Sequence, residues 1–362
     1  MKNTLFFCNT YYQLIVAIQM KLTIKKEEQV TVVLTDESRN AETICERLRQ
    51  TQLFHKVFFL QTKNAKTKVN AKFKLQAIKN GLCGCLPEGM DPKAKYDELI
   101  GFNLDLPTHY LFAALVKNNP GIICNAMEEG LLSYGVEDPG SGLLSMLYKV
   151  RKCFGKKNLR EEAKGFYCFN PAVYKGSKTA LPVPKISREN ARLGEVLETL
   201  FLQDAPVDPY KQRYIYLPCI YDIEGGEPIG ELELAKKIAG EVGKENLLVK
   251  VHPRDDAKKY ENAGLTVDKN SAVPWEVLCI HEDFSQHVFI TTLSGSILNV
   301  SAFLANAPRS YYAYPLCDLT QNPLAQKFRK VIDGYVLECS ELALNNIKIL
   351  HNIEQLADKG DA

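Results

Sequence analysis

Apolar residues in this chain fall in short runs separated by segments of a different period. Residues 5–8, 30–34 (VTVVL), 57–60, 98–102 and 122–124 are strand-length runs rich in β-branched and aromatic side chains. Residues 12–22 and 108–117 lie between such runs and carry the period of a helix with a buried face. The alternation begins again at 214–219 (YIYLPC). It continues through a helical segment at 230–242, a strand at 247–251, a short helix after Pro274, a strand at 287–291 and a helix from Ser294. Such alternation predicts an α/β chain of two Rossmann-like units, each a parallel sheet with helices on both faces. Two prolines and two aspartates interrupt the periodicity at Gln203-Asp204-Ala205-Pro206-Val207-Asp208-Pro209-Tyr210, which places a hinge there and domains at 1–205 and 206–362. No internal sequence repeat is evident.

Composition narrows the function. A length of 362 residues suits two domains, and 46% hydrophobic residues exclude a largely disordered chain. With 45 Lys+Arg against 43 Asp+Glu, the net charge of +2 argues against a surface that grips nucleic acid throughout. No apolar run approaches the roughly 18 residues of a membrane span, and the opening MKNTLFFC reads as a buried strand. Eleven cysteines, an odd and scattered set mostly within apolar runs, suggest reduced thiols and a cytoplasmic protein. The close pair Cys83 and Cys85 lacks a second pair at zinc spacing, so neither metal nor cofactor is expected. Two basic windows remain. Lys63, Lys66, Lys68, Lys72, Lys74 and Lys79 read as a solvated face or loop. Lys149, Arg151, Lys152, Lys156 and Lys157 follow an apolar stripe from Leu143 to Phe154, which suits either a solvated face or peripheral contact with an anionic membrane.

Ligands of open α/β sheets bind beyond the carboxyl ends of the strands, so the residues there are the first candidates. In Lys250-Val251-His252-Pro253-Arg254, proline ends the strand and a histidine flanked by cations suits a phosphate. Thr291-Thr292-Leu293-Ser294-Gly295-Ser296 leads into a helix, where amides and hydroxyls suit the same anion, unless Ser294 is only an N-cap. Glu276 of Val273-Pro274-Trp275-Glu276 either accepts ribose hydroxyls or simply favours the helix dipole. Glu128-Glu129-Gly130 follows a strand as a surface turn or as a carboxylate pair whose mutual repulsion would make one a better base.

Taken in order, the acidic pair with glycine, the His-Pro after a strand and the serine-rich turn about 40 residues later resemble the shared motifs of bacterial sialyltransferases. Cys8-Asn9-Thr10-Tyr11-Tyr12-Gln13-Leu14 is most similar to glycosyltransferase family 52, which sialylates lipooligosaccharides and capsules. The resemblance implies a GT-B fold with two domains facing across a cleft, CMP-sialic acid as donor and a galactose-terminated glycan as acceptor. Glu128 is then the general base, with Asp222 of the loop Tyr221-Asp222-Ile223-Glu224 its rival, and His252 assists departure of the CMP phosphate. Glu129, Gly130, Pro253, Lys250, Glu276, Ser294, Ser296, Thr10 and Gln13 would bind substrate, and members can pair as homodimers.

The chemistry agrees with that set. A positioned base removes the acceptor proton while donors stabilise a leaving monophosphate, and inversion follows without a metal. The chain lacks Asp-x-Asp, the usual signature of a metal-held nucleotide diphosphate. The alternatives are another GT-B enzyme, a UDP-sugar transferase or epimerase, and a non-catalytic member that binds glycan or nucleotide.

Overall fold

The computed structural model describes residues 1–62, 78–102, 105–130, 132–135, 143–203, 207–224, 226–252, 254–270, 272–342, 344 and 346–357. The lysine run from Lys63 to Lys74, the hinge residues 204–206 and Pro253 lie outside them. No described helix is long and apolar enough to cross a membrane.

The first sheet contains β1 (Asn3–Cys8), β2 (Gln29–Thr35), β3 (Lys56–Leu60), β4 (Glu98–Gly101), β5 (Ile123–Met127), β6 (Ala163–Cys168) and β7 (Thr179–Pro182). Its order is β3-β2-β1-β4-β5-β6-β7, and all pairings are parallel. β1 is central, with Phe6 opposite Val32 on one side and Ile100 on the other. Leu5, Phe6, Phe7 and Cys8 are all fully buried, which explains why this run does not alternate in polarity. Leu5 and Phe7 pack with Val33, Leu99, Leu111, Phe112 and Leu115.

The second sheet contains β8 (Tyr214–Leu217), β9 (Leu247–Val249), β10 (Thr266–Val267), β11 (Val288–Thr291), β12 (Arg309–Tyr312) and β13 (Ile347–Ile349). The order β10-β9-β8-β11-β12-β13 is that of a doubly wound nucleotide-binding sheet, reversing between β8 and β11. Tyr216, Leu234, Ile238, Val249 and Ile290 share its core. The structure thus has the expected α/β architecture of two Rossmann-like units. The strands that the hydrophobic pattern did not announce are β6, β7, β10, β12 and β13; β7, β10 and β13 are two to four residues long and lie at sheet edges.

Compact unit one comprises Met1–Glu129, Val136–Pro184 and Ala191–Leu200, and unit two comprises Gly130–Gly135, Lys185–Asn190 and Phe201–Ala362. The two short inserts have partners of their own in unit two. Tyr134 meets Tyr335 edge to face at 5.5 Å, and Ile186 forms a parallel bridge with Leu304.

Two buried charges in the first unit are structural. Glu98 is 1% exposed and accepts hydrogen bonds from Lys25 at 2.6 Å, Asn125 at 2.7 Å, Lys2 at 2.8 Å and Tyr167 at 3.0 Å. Although burial opposes ionisation, these donors hold its pKa down at about 2. Arg151, on the helix Leu143–Cys153, is 2% exposed; it donates to the carbonyl of Lys157 at 3.0 Å and to that of Gly81. The basic window is therefore divided, with Arg151 inside and Lys149, Lys152 and Lys156 exposed beside Phe154.

Candidate active site

In the first unit the candidate residues gather at the carboxyl ends of neighbouring strands. After β1, Thr10 caps the helix Tyr11–Leu22: its hydroxyl accepts the Gln13 N–H at 3.3 Å, and Gln13 Oε1 accepts the Asn9 N–H at 2.6 Å. These bonds satisfy amides that the first helical turn leaves open. Thr10 Oγ1 and Gln13 Oε1 are thus engaged in shaping the turn, whereas the buried Gln13 Nε2 has no hydrogen-bond partner among the described residues. Asn9 links three strand ends. Its Oδ1 accepts the hydroxyl of Thr35, the last residue of β2, at 3.0 Å, and its Nδ2 donates to Asp105. Asp105 in turn caps the helix Leu106–Asn118 that follows β4. The Asn9–Asp105 pair therefore spans β1 and β4, where the strand order reverses and ligands of such sheets bind.

Beside them, β5 delivers Glu128 and Glu129 into different environments. Glu128 is fully buried; Oε1 accepts the Tyr12 hydroxyl and Oε2 the Phe169 N–H at 2.8 Å. Glu129 is half-buried. Burial, reinforced by the charge of Asp105, pushes its pKa up to about 8, and burial raises Asp105 itself to about 7. Glu128 thus accepts fixed donors, and the carboxyl of Glu129 is raised by burial beside Asp105.

The second unit presents donors at its own reversal point. Ser294 is the N-cap of the helix Gly295–Phe303, accepting the Ser296 N–H at 3.2 Å. The Ser294 and Ser296 hydroxyls lie 2.7 Å apart and both residues are half-buried. Gly295 therefore does not separate the pair, because Ser294 is the N-cap and its side chain folds back over the first turn onto Ser296. A helix N-terminus with two hydroxyls can receive a phosphate.

The other sequence-predicted residues have varied surroundings. Lys250 is paired with Asp268 at 2.6 Å and lies 5.4 Å from the Trp275 ring centre, so its charge is already matched. The Nδ1 atom of His252 accepts the Arg254 N–H at 3.2 Å. Burial and Arg254 lower the His252 pKa, giving a neutral imidazole with its hydrogen on Nε2. Arg254 pairs with Glu224 at 2.5 Å. Asp222 accepts three backbone N–H groups, from Ile229 at 2.7 Å and from Gly230 and Glu231 at 3.2 Å each, and so closes a loop. Glu276, raised by burial, takes a hydrogen bond from Asn299. Among the described residues, no three His, Cys, Asp or Glu side chains are grouped to hold a metal ion.

Several organising residues gave no sequence signal beyond their type. Asn322 Nδ2 donates to the carbonyls of Tyr221 and Glu227 at 3.0 Å each, fixing the loop that carries Asp222. Asn9 and Asp105 are adjacent only in the folded sheet. Glu231, at a helix start, looks like an ordinary first-turn acid, yet it is fully buried.

Comparison with known proteins adds a family and a fold. The family model described as alpha-2,8-polysialyltransferase (POLYST) matches residues 4–210, more than half of the chain. No curated protein matches the sequence. Among solved structures, a protein assigned as a UDP-N-acetylglucosamine 2-epimerase from Listeria monocytogenes aligns with TM-score 0.52 and 12% identity, over 96% of this chain and 90% of that one. S. aureus MnaA with UDP aligns at TM-score 0.49 and 12% identity, over 98% and 94% of the two chains. MurG of Acinetobacter baumannii aligns at TM-score 0.43 and 13% identity, over 99% and 90%. At 12% identity the likeness to the Listeria protein is one of fold alone, two Rossmann-like units of the GT-B kind.

Proposed function

The chain belongs to the alpha-2,8-polysialyltransferase family, and from that premise we propose that it transfers sialic acid from CMP-sialic acid to a bacterial surface glycan. The observation that carries the donor reading is the pair of Ser294 and Ser296 hydroxyls, 2.7 Å apart at a helix start. Such a site suits a leaving group with one phosphate. The reading assigns the base to Glu129, whose carboxyl is raised to about 8 by burial and the neighbouring charge of Asp105, with Glu128 and Asp222 as its rivals.

In the proposed reaction, an acceptor hydroxyl oxygen attacks the anomeric carbon of sialic acid as the bond from that carbon to the phosphate oxygen breaks, with inversion. The hydroxyl proton passes to Glu129, whose raised pKa suits a base near neutral pH. The electron pair of the broken bond leaves on CMP, where Ser294, Ser296 and the Nε2–H of His252 stabilise it. Glu276 would accept ribose hydroxyls. No step requires a metal.

The family's name favours a sialic acid terminus as acceptor, joined through its 8-hydroxyl. A galactose terminus is the second reading, supported by the likeness of Cys8 to Leu14 to family 52. The exposed face with Lys149, Lys152 and Phe154 is assigned to peripheral contact with an anionic membrane.

The test is incubation of purified protein with CMP-sialic acid and glycans ending in galactose or in sialic acid, with products read by mass spectrometry. Chain growth on sialic acid supports the first acceptor, and a single addition to galactose the second. Absence of CMP release with every acceptor, together with thermal stabilisation by UDP but not by CMP, would overturn the donor assignment.

A further inference from the structure

Glu231 opens the helix Glu231–Val242 and is fully buried, a position an isolated carboxylate cannot occupy cheaply. Its partners link the two strand ends at the reversal point of the second sheet. Oε1 accepts the Cys219 N–H at 3.1 Å, beyond β8. Oε2 accepts the Tyr216 hydroxyl and the hydroxyl of Thr292, beyond β11, the latter at 2.7 Å. Cys219 Sγ accepts the Leu293 N–H at 3.2 Å. Thr291 Oγ1 donates to the Leu217 carbonyl at 2.6 Å and accepts the Ser294 N–H at 3.1 Å. The turn carrying Ser294 and Ser296 is thus fastened to β8 and the loop after it at three consecutive residues, and Glu231 anchors the middle one.

We propose that Glu231 is a positioning residue that, through Thr292 and Cys219, sets where Ser294 and Ser296 present their hydroxyls to the donor phosphate. The proposal rests on the phosphate reading of that turn. Glu231 is separated from any ligand by Thr292, itself fully buried.

The arrangement has a pH signature. The titratable groups facing Glu231 are Tyr216 on β8, Cys219, Tyr221 and Asp222 after it, Tyr260 on the helix Ala257–Asn262, and Cys317. Burial outweighs the hydrogen bonds and raises Glu231 to about 7, with Asp222 acting in the same direction. Ionised, Glu231 accepts from both hydroxyls; protonated, it donates to one of them and reverses the direction of that bond.

The experiment compares Glu231→Gln, Thr292→Val and the unmodified protein. It measures CMP affinity by calorimetry, and kcat and donor KM across neutral pH. We expect Glu231→Gln to weaken CMP binding by about tenfold, to raise KM more than it lowers kcat, and to remove the change in KM near pH 7. Thr292→Val, nearly isosteric and able to fold where the glutamate variant fails, should shift KM in the same direction. Variants that bind CMP normally and keep the pH profile would overturn this proposal alone. An unmodified protein that binds no CMP would overturn the phosphate reading along with it.

Discussion

Gly130 and Asn299 fit together because Gly130 has no side chain: a Cβ there would lie 2.8 Å from Asn299 Oδ1 and 3.2 Å from Nδ2. Gly130 also has φ +117°, a backbone region that L side chains rarely adopt. The glycine of the acidic motif therefore serves packing within the second unit, against the helix that begins with the serine pair. Gly130→Ala is expected to cost about 1–3 kcal/mol in urea unfolding. Asn299→Ala should recover the steric part of that loss and leave the backbone part. Equal loss in both backgrounds would show that the contact is not responsible.

Glu129→Gln should lower kcat about 10²–10⁴-fold with little change in donor affinity. In the unmodified protein, activity should rise with pH towards a plateau above about 8, as the base loses its proton. Stability should run the opposite way. A carboxyl whose folded value is raised contributes most below its unfolded value, and the contribution is lost as pH rises through about 8. Glu129→Gln should consequently gain stability relative to the unmodified protein at alkaline pH, as measured by thermal melts. Full activity in this variant would move the base elsewhere.

Glu128→Ala should behave differently. It removes a buried acceptor from the Tyr12 hydroxyl and the Phe169 N–H, so a loss of about 1–3 kcal/mol of stability is expected. Chemical denaturation of both glutamate variants side by side separates the structural acid from the titrating one.

The two serines can also be told apart. Ser294→Ala removes an N-cap and should cost about 1 kcal/mol as well as donor affinity. Ser296→Ala, at the second helical position, should weaken donor binding without a matching fall in melting temperature. If neither changed donor KM, the turn would be only a helix start.

Glu98 supplies an acid-side test. Its folded pKa of about 2, against an ordinary 4.5, contributes stability that is complete above the unfolded value and is lost as pH falls through about 2. The difference corresponds to about 3 kcal/mol. Unfolding free energies measured between neutral pH and strong acid should show this loss, and Glu98→Gln should remove most of it.

Strands such as β1 were legible in the sequence because burial on both faces leaves an uninterrupted apolar run, as in residues 5–8, whereas β6 and β12, although interior, were not. The short edge strands carry too few residues for a period to show. The Ser294 turn and the acidic pair were legible because their chemistry is contiguous in the chain. The partners of Glu128 were not, since Tyr12 and Phe169 lie 116 and 41 residues away in the chain. The pairing of Lys250 with Asp268 was not legible, because the two are 18 residues apart and meet only in the fold. That Asp222 accepts three backbone amides was not legible either, because they lie seven to nine residues further along a loop.

The interleaved membership of the two units bears on how such a protein can be recombined. A chimera made by exchanging everything after the proline-rich hinge would leave behind Tyr134, the ring partner of Tyr335, and Ile186, which bridges Leu304. Its second unit would meet foreign residues at both places. Grafts that carry 130–135 and 185–190 along with the carboxyl-terminal segment would keep both of these contacts, so the unit of exchange is three pieces of chain.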